Sequence, residues 1–212
     1  TSIRYLNDIE YIILKEDEFV RIANLAVDFV STNDALATLG IRPTRPDTGY
    51  GYIQYETSKS IDRFYEVKTF TEKPSHELAE TFIRSGDFLW NAGIFIWNTR
   101  DILSALEKYS GEIYGLFKDA EPSLNTPEEK DAITRVYESC KNISIDYAVM
   151  EHTERAAVLP LNAGWSDVGS WSIMLQVNTQ DESGNVLKGD VMAHFTQNSF
   201  LESGSRLLAA VG

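Results

Sequence analysis

The chain has 212 residues, a formal net charge of −13, and ordinary apolar (43%) and charged (24%) fractions. One substantial domain, with or without a small appendage, is therefore expected. The acidity excludes a broad phosphate-neutralising surface for polymeric nucleic acid, though a few local cations or backbone amides can still hold one small anion. Cys140 is the only cysteine, which rules out an internal disulfide or a cysteine cluster for zinc. No long apolar run suggests a membrane span and no signal-like segment opens the chain, so a cytoplasmic enzyme or binding domain is the default expectation.

Glu16 to Val30 reads as an amphipathic helix, with Phe19, Ile22, Ala23, Ala26 and Phe29 at helical spacing. ALATLGI (35–41) is short and apolar, as a buried strand should be. RPTRPDTGYG is loop chemistry leading into a strand around Tyr52 to Glu56, and FYEVKTFTEKP (64–74) alternates as another strand should. Ser75 suits the cap of a helix that turns Leu78, Ala79 and Phe82 inward and stops at Gly86. WNAGIFIWNT (90–99) reads as a loop entering an apolar strand. Thr99 then caps a helix carrying Leu103, Leu106 and Tyr109. Thr126, Pro127 and Glu129 form a helix start with a capping-box acid, and Ile133, Val136, Tyr137 and Cys140 give that helix its buried stripe. SIDYAVME (144–151) looks like a short helix and AAVLPL (156–161) like a strand. From Gly184 onward, short β-type pieces alternate with Gly, Asn and Ser.

Polar clusters fall at the ends of these predicted strands. Each alone has an ordinary explanation. Gly49 to Tyr52 suits a turn, Glu72–Lys73 a solvated pair, and Asn91 before Gly93 a left-handed turn. Asp167, inside WSDVGSW, suits either an N-cap for a helix running through Ser170 and Ile173 toward Val177, or a hard oxygen for a metal ion. Together they are complementary. Glu72 can accept from hydroxyls, Lys73 can meet a phosphate, and Asn91 can both donate and accept. Gly51 allows close approach to the backbone, and Asp167 suits Mg²⁺. A phosphorylated sugar and a metal-bound nucleoside phosphate would use them all.

In this order, TGYGYI, FTEKP, WNAGIFIW, SIDYAVME and WSDVGSW resemble the bacterial mannose-1-phosphate guanylyltransferases, or GDP-mannose pyrophosphorylases, from about Ile12 to the C-terminus. The resemblance implies an α/β, Rossmann-like nucleotidyltransferase, with a mixed sheet and flanking helices, over 1–182. A small β-helix-like segment would follow over 183–212. It implies Mg²⁺-dependent joining of mannose 1-phosphate to GTP, with release of pyrophosphate. Lys73 and Asp167 would be catalytic and Asp167 the metal ligand, while Gly51, Tyr52, Glu72, Lys73, Asn91 and Gly93 would bind substrate. The alternatives are a pyrophosphorylase for another hexose 1-phosphate or nucleotide, and a non-catalytic relative that binds sugar nucleotides. The short strands offer edges through which a homo-oligomer could form. The family's glycine-rich G-G-x-G-T-R-L-x-P loop has no counterpart here. Its first metal aspartate would precede Ile12–Ile13–Leu14, where this chain reads NDIEY, and Asp8 does not align with it. The expectation is of a polypeptide with residues missing before Tyr11, which an intact mass near 23.9 kDa would refute.

Overall fold

The computed structural model describes residues 11–61, 63–167, 174–175 and 178–212. Contacts divide the chain into two compact units, one of Glu16–Ala163 and one joining Thr1–Lys15 to Gly164–Gly212. Among the described residues no helix is long and apolar enough to cross a membrane.

The Glu16–Ala163 unit is a mixed sheet with helices around it. Its strands are β2 (Leu36–Ile41), β3 (Tyr52–Ile61), β4 (Phe64–Thr71), β5 (Phe88–Trp97) and β6 (Ala156–Pro160). They pair in the order β2-β5-β3-β4-β6, and β6 closes back onto β2. The β2–β6 pair is parallel and the other pairs are antiparallel. β2 is buried along nearly its whole length, which is why its sequence is an uninterrupted apolar run rather than an alternation. Leu36, Ile53, Leu89 and Val158 from four strands meet Ile102, Val149 and Met150 in one core.

Helix α1 (Glu16–Thr32) buries Ile22, Ala26, Phe29 and Val30, and Phe29 stacks on Phe64. Helix α2 (His76–Ser85) is capped by Ser75, whose side chain accepts from the Leu78 N–H, and stops at Gly86 with φ of 79°. Helices α3 (Thr99–Tyr109), α4 (Gly111–Ala120) and α5 (Glu129–Ser139) follow β5. Before β6 comes a π-helical turn, Asp146–Met150.

Several sequence expectations shift. α4 was not anticipated, because two glycines in GEIYGLFKDA weaken its helical signal. β3 runs on to Ile61, where its polar outer half is held by pairing with β4 in a hairpin rather than by burial. β5 starts at Phe88, so Trp90 and Asn91 lie inside a strand and not in a loop. Leu78 and Leu103 are exposed, and the buried faces are set by Ala79 in α2 and by Ile102 and Ala105 in α3. The α3 cap is Asn98 rather than Thr99, its side chain accepting from the Arg100 N–H. α5 begins at Glu129. The Glu129 carboxylate reaches back to the Asn125 N–H, so the capping interaction forms one residue earlier than the capping-box pattern places it. In α5 the buried positions are Ala132 and Val136; Tyr137 is exposed, and Cys140 packs partly buried at the helix end.

In the other unit, β1 (Tyr11–Ile13) pairs antiparallel with β7 (Trp165–Asp167). Then β8 (Val186–Lys188), β9 (Val191–His194), β10 (Phe200–Glu202) and β11 (Leu208–Val211) form two parallel pairs, β8–β10 and β9–β11. This is two successive rungs of a solenoid-like coil, in keeping with the short β pieces read from Gly184 onward.

Candidate functional site

The geometry of the site begins with an irregularity in β5. Thr38 pairs with Phe95 and Gly40 with Asn91, so Ala92, Gly93 and Ile94 together face the single residue Leu39. The surplus residues form a bulge, and Gly93 makes it feasible with φ of 70°. Bulges re-aim side chains, and here the re-aimed one is Asn91. Its N–H donates to the Gly51 carbonyl at 2.8 Å, tying the bulge to the loop before β3.

The Asn91 side chain is held at three points. Its Nδ2 donates to Asp146 Oδ1 at 2.9 Å. Its Oδ1 accepts from the Gly93 N–H at 3.1 Å and from the Thr38 hydroxyl at 3.3 Å. A carboxylate can only accept and a backbone N–H can only donate, so the amide has one admissible orientation. The Thr38 hydroxyl, with one hydrogen, also lies 3.3 Å from the Ile94 carbonyl and is shared between the two acceptors. One Nδ2 hydrogen remains, so the side chain is first a donor toward a ligand.

Glu72 lies just beyond the end of β4. Its side chain is 11% exposed, and Oε1 lies 3.2 Å from Lys73 Nζ. Oε2 is sealed from solvent without a hydrogen-bond partner. Gly51 accounts for this closeness, since a Cβ there would lie 2.3 Å from Glu72 Oε2 and 3.3 Å from Asn91 Cβ. Burial pushes the Glu72 carboxyl above its ordinary value, the Lys73 ammonium opposes this, and the charge of Asp146 adds to it. Lys73 is 62% exposed. Its φ of 46° is unusual for a non-glycine residue and more so before a proline.

The structure thus brings Gly51, Glu72, Lys73, Asn91 and Gly93 into one neighbourhood. Tyr52 differs from its expected substrate contact. Its side chain is fully buried against Phe82 and its hydroxyl donates to the Asp47 carbonyl at 3.0 Å, so it supports the loop from behind. Asp167 belongs to the other unit, where it ends β7 opposite Tyr11 and is partly buried. The expected capping of a helix by Asp167 falls on residues 168–173, which lie outside the described residues, and so does Asp8. Among the described residues no three His, Cys, Asp or Glu side chains gather as a metal site. Thr38 and Asp146 were not anticipated. Thr38 carries no local signal within an apolar strand, whereas Asp146 stands in SIDYAVME, a segment already singled out.

This arrangement offers a sheltered carboxylate, a single amide N–H and an exposed ammonium beside them. It suits a ligand with hydroxyls at one end and an anionic group at the other. Residues 3–184 match the profile of a family described as nucleotidyl transferase. The chain belongs to the nucleotidyl transferase family. It is 38% identical over 204 residues to mannose-1-phosphate guanylyltransferase RfbM of Salmonella typhimurium, covering 96% of this chain and 42% of that protein. It is 41% identical over 180 residues to a mannose-1-phosphate guanylyltransferase of Klebsiella pneumoniae, covering 84% of this chain and 38% of that protein. The chain therefore spans about two fifths of the length of these curated relatives. Among solved structures, one described as a mannose-1-phosphate geranyltransferase from Thermus thermophilus aligns with a TM-score of 0.78 at 27% identity, over 96% of this chain and 59% of that one. A structure described as mannose-6-phosphate isomerase from Helicobacter pylori aligns with a TM-score of 0.64 at 27% identity, over 74% of this chain and 61% of that one.

Proposed function

We propose that this chain carries the sugar-phosphate side of a mannose-1-phosphate guanylyltransferase, joining mannose 1-phosphate to GTP. The observation that carries the reading is the Glu72–Lys73 junction, a buried carboxylate 3.2 Å from an exposed ammonium, set against Gly51 and Asn91. The names of the relatives supply the sugar and the base. Glu72 accepts from a hexose hydroxyl, the free Asn91 N–H donates to another, and Gly51 leaves room for the ring against its backbone. Lys73 meets the sugar phosphate.

In the proposed reaction a phosphate oxygen of mannose 1-phosphate forms a bond to the α-phosphorus of GTP. The bond from that phosphorus to the bridging oxygen of the β-phosphate breaks, and pyrophosphate leaves with the electron pair. The nucleophile is already an anion, so no general base is needed and catalysis consists of positioning and charge neutralisation. Asp167 is a hard-oxygen carboxylate at a strand end, the donor chemistry that Mg²⁺ takes, and it would hold the ion. The ion would supply charge neutralisation. We assign this chemistry to residues 1–182 and a structural role to 183–212. The reaction draws on GTP, so a cytoplasmic setting goes with the proposal.

The test is pyrophosphate release by the purified protein, with mannose, glucose and N-acetylglucosamine 1-phosphates crossed against the four nucleoside triphosphates, with Mg²⁺ and with a chelator. Turnover is expected for mannose 1-phosphate with GTP and Mg²⁺. Lys73→Met should raise KM for mannose 1-phosphate about 10- to 100-fold, the loss of one charge-assisted contact of ~1.5–3 kcal/mol, while KM for GTP stays near the parent's. Equal KM values for mannose 1-phosphate in parent and variant would make Lys73 a surface charge. Preference for another hexose phosphate would replace the substrate assignment.

A further inference from the structure

We infer that Asp146 is a positioning residue for the hexose, acting through Asn91; the inference rests on the sugar-phosphate reading above and extends it to a residue that makes no direct contact in that reading. Asn91 Nδ2 has two hydrogens. Asp146 Oδ1 takes one at 2.9 Å, and this fixes the direction of the other, the one N–H the side chain retains. The Gly93 N–H and Thr38 hydroxyl hold the oxygen end of the same amide. Without Asp146 the amide plane loses one of its holds and turns more freely about Cβ–Cγ, and its two hydrogens compete for a ligand oxygen and for water.

The backbone around Asp146 is built for such a task. The turn Asp146–Met150 is π-helical, and the Glu151 N–H bonds to the Asp146 carbonyl five residues back, at 3.0 Å. π-Turns are rare and concentrate at functional sites. Ala148, Val149 and Met150 anchor this one in the core, while the side chain of its first residue reaches across to the β5 bulge. Two irregular backbone features, 55 residues apart in sequence, meet at this single hydrogen bond. Neither a regular helix nor a regular strand requires it. The cost is electrostatic, since Asp146 adds a negative charge near the already buried Glu72. A fold selected for stability alone would favour a neutral acceptor at this position.

The experiment is a double-mutant cycle on Asp146 and Asn91, read by titration with the sugar phosphate and by KM for each substrate. Asp146→Ala should weaken mannose 1-phosphate binding about tenfold, of the order of one hydrogen bond, with KM for GTP unmoved as the sign that the fold is intact. Asp146→Asn, which can still present an oxygen to Asn91 Nδ2, should restore binding to within about twofold. The double variant Asn91→Ala, Asp146→Ala should bind no more weakly than Asn91→Ala alone. Additive losses would overturn the inference, because Asp146 would then act independently of Asn91. A loss in Asp146→Asn equal to that in Asp146→Ala would overturn it too, since charge rather than positioning would be at work. If the parent prefers a different hexose 1-phosphate, the substrate assignment fails while the same cycle, run with that sugar, still decides the role of Asp146. If the parent binds no hexose 1-phosphate, both fall.

Discussion

Glu72 is costly to keep. Its side chain is mostly buried, with one oxygen sealed from solvent and unpartnered, and burial, reinforced by Asp146, raises its pKa against the opposing pull of Lys73. The native state therefore binds a proton on Glu72 more tightly than the unfolded chain does. A carboxyl raised in this way leaves stability untouched below its unfolded value of 4.5, and lowers it as pH rises from there through the folded value. Glu72→Gln removes the charge and keeps the shape. It should melt higher than the parent at pH 7, and the difference should vanish by about pH 4. The same variant should lose mannose 1-phosphate turnover, since an amide offers one acceptor oxygen where the carboxylate offers two. Stability gained where activity is lost is the signature expected of a functional residue. Melting curves for both proteins across that pH range check it. A Gln variant that melts lower at neutral pH would mean that the Lys73 pair outweighs the burial.

The elements that aim the site are β2 and β5, and the bulge between them depends on Gly40 as much as on Gly93. A Cβ at Gly40 would stand 2.6 Å from Leu89 Cδ1 and 2.8 Å from Val158 Cγ2, both in the core. Gly40 also pairs with Asn91 across the bulge and accepts from the Leu161 N–H. Gly40→Ala should therefore overpack the core by about 1–3 kcal/mol and move Asn91 with β5. Urea midpoints give the first effect and sugar-phosphate affinity the second. An unchanged midpoint would show that Leu89 and Val158 can yield. Nothing local in LATLGI announces this. The run identified β2 as a buried strand because apolar continuity is a one-dimensional signal, but the register slip with β5 is a property of two strands together. For the same reason WNAGIFIW was legible as strand and as site but not as bulge. GEIYGLFKDA was missed because its helix is held by packing of Leu116 and Phe117 beside α5 and has two glycines within it. Glu72, Lys73 and Asn91 could be grouped from the sequence because their chemistry is complementary, and the fold places them together. Thr38 and Asp146 could not, because their link to the group is a hydrogen bond to Asn91 across the fold.

At the scale of the whole molecule, the unit that carries the C-terminal strands has a hydrogen-bond system of its own, centred on Asn185. That side chain is 2% exposed. Its Nδ2 donates to the Thr196 carbonyl at 2.8 Å and to Asp181 Oδ2 at 3.2 Å, and its Oδ1 accepts from the Ser199 N–H at 3.0 Å. Asp181 Oδ1 in turn takes the Asn185 and Ser183 N–H groups. One amide thus fastens the turn that leads into β8 to the chain entering β10, and so helps to fix the parallel pairing of Val186 with Phe200. Strands of three or four residues make few ladder hydrogen bonds, so this staple should matter more than its size suggests. Asn185→Leu keeps the bulk and leaves the Thr196 carbonyl and Ser199 N–H without their partner, at about 1–3 kcal/mol for each group that stays buried. Hydrogen exchange should then speed up at Val186, Ser199 and Phe200, while amides of β2 and β5 keep their protection and Lys73 and Asn91 keep their affinity for sugar phosphate. Loss of protection in β2 and β5 as well would mean that the chain unfolds as one cooperative body, so that the stability of β2 and β5 is coupled to that of the β segment.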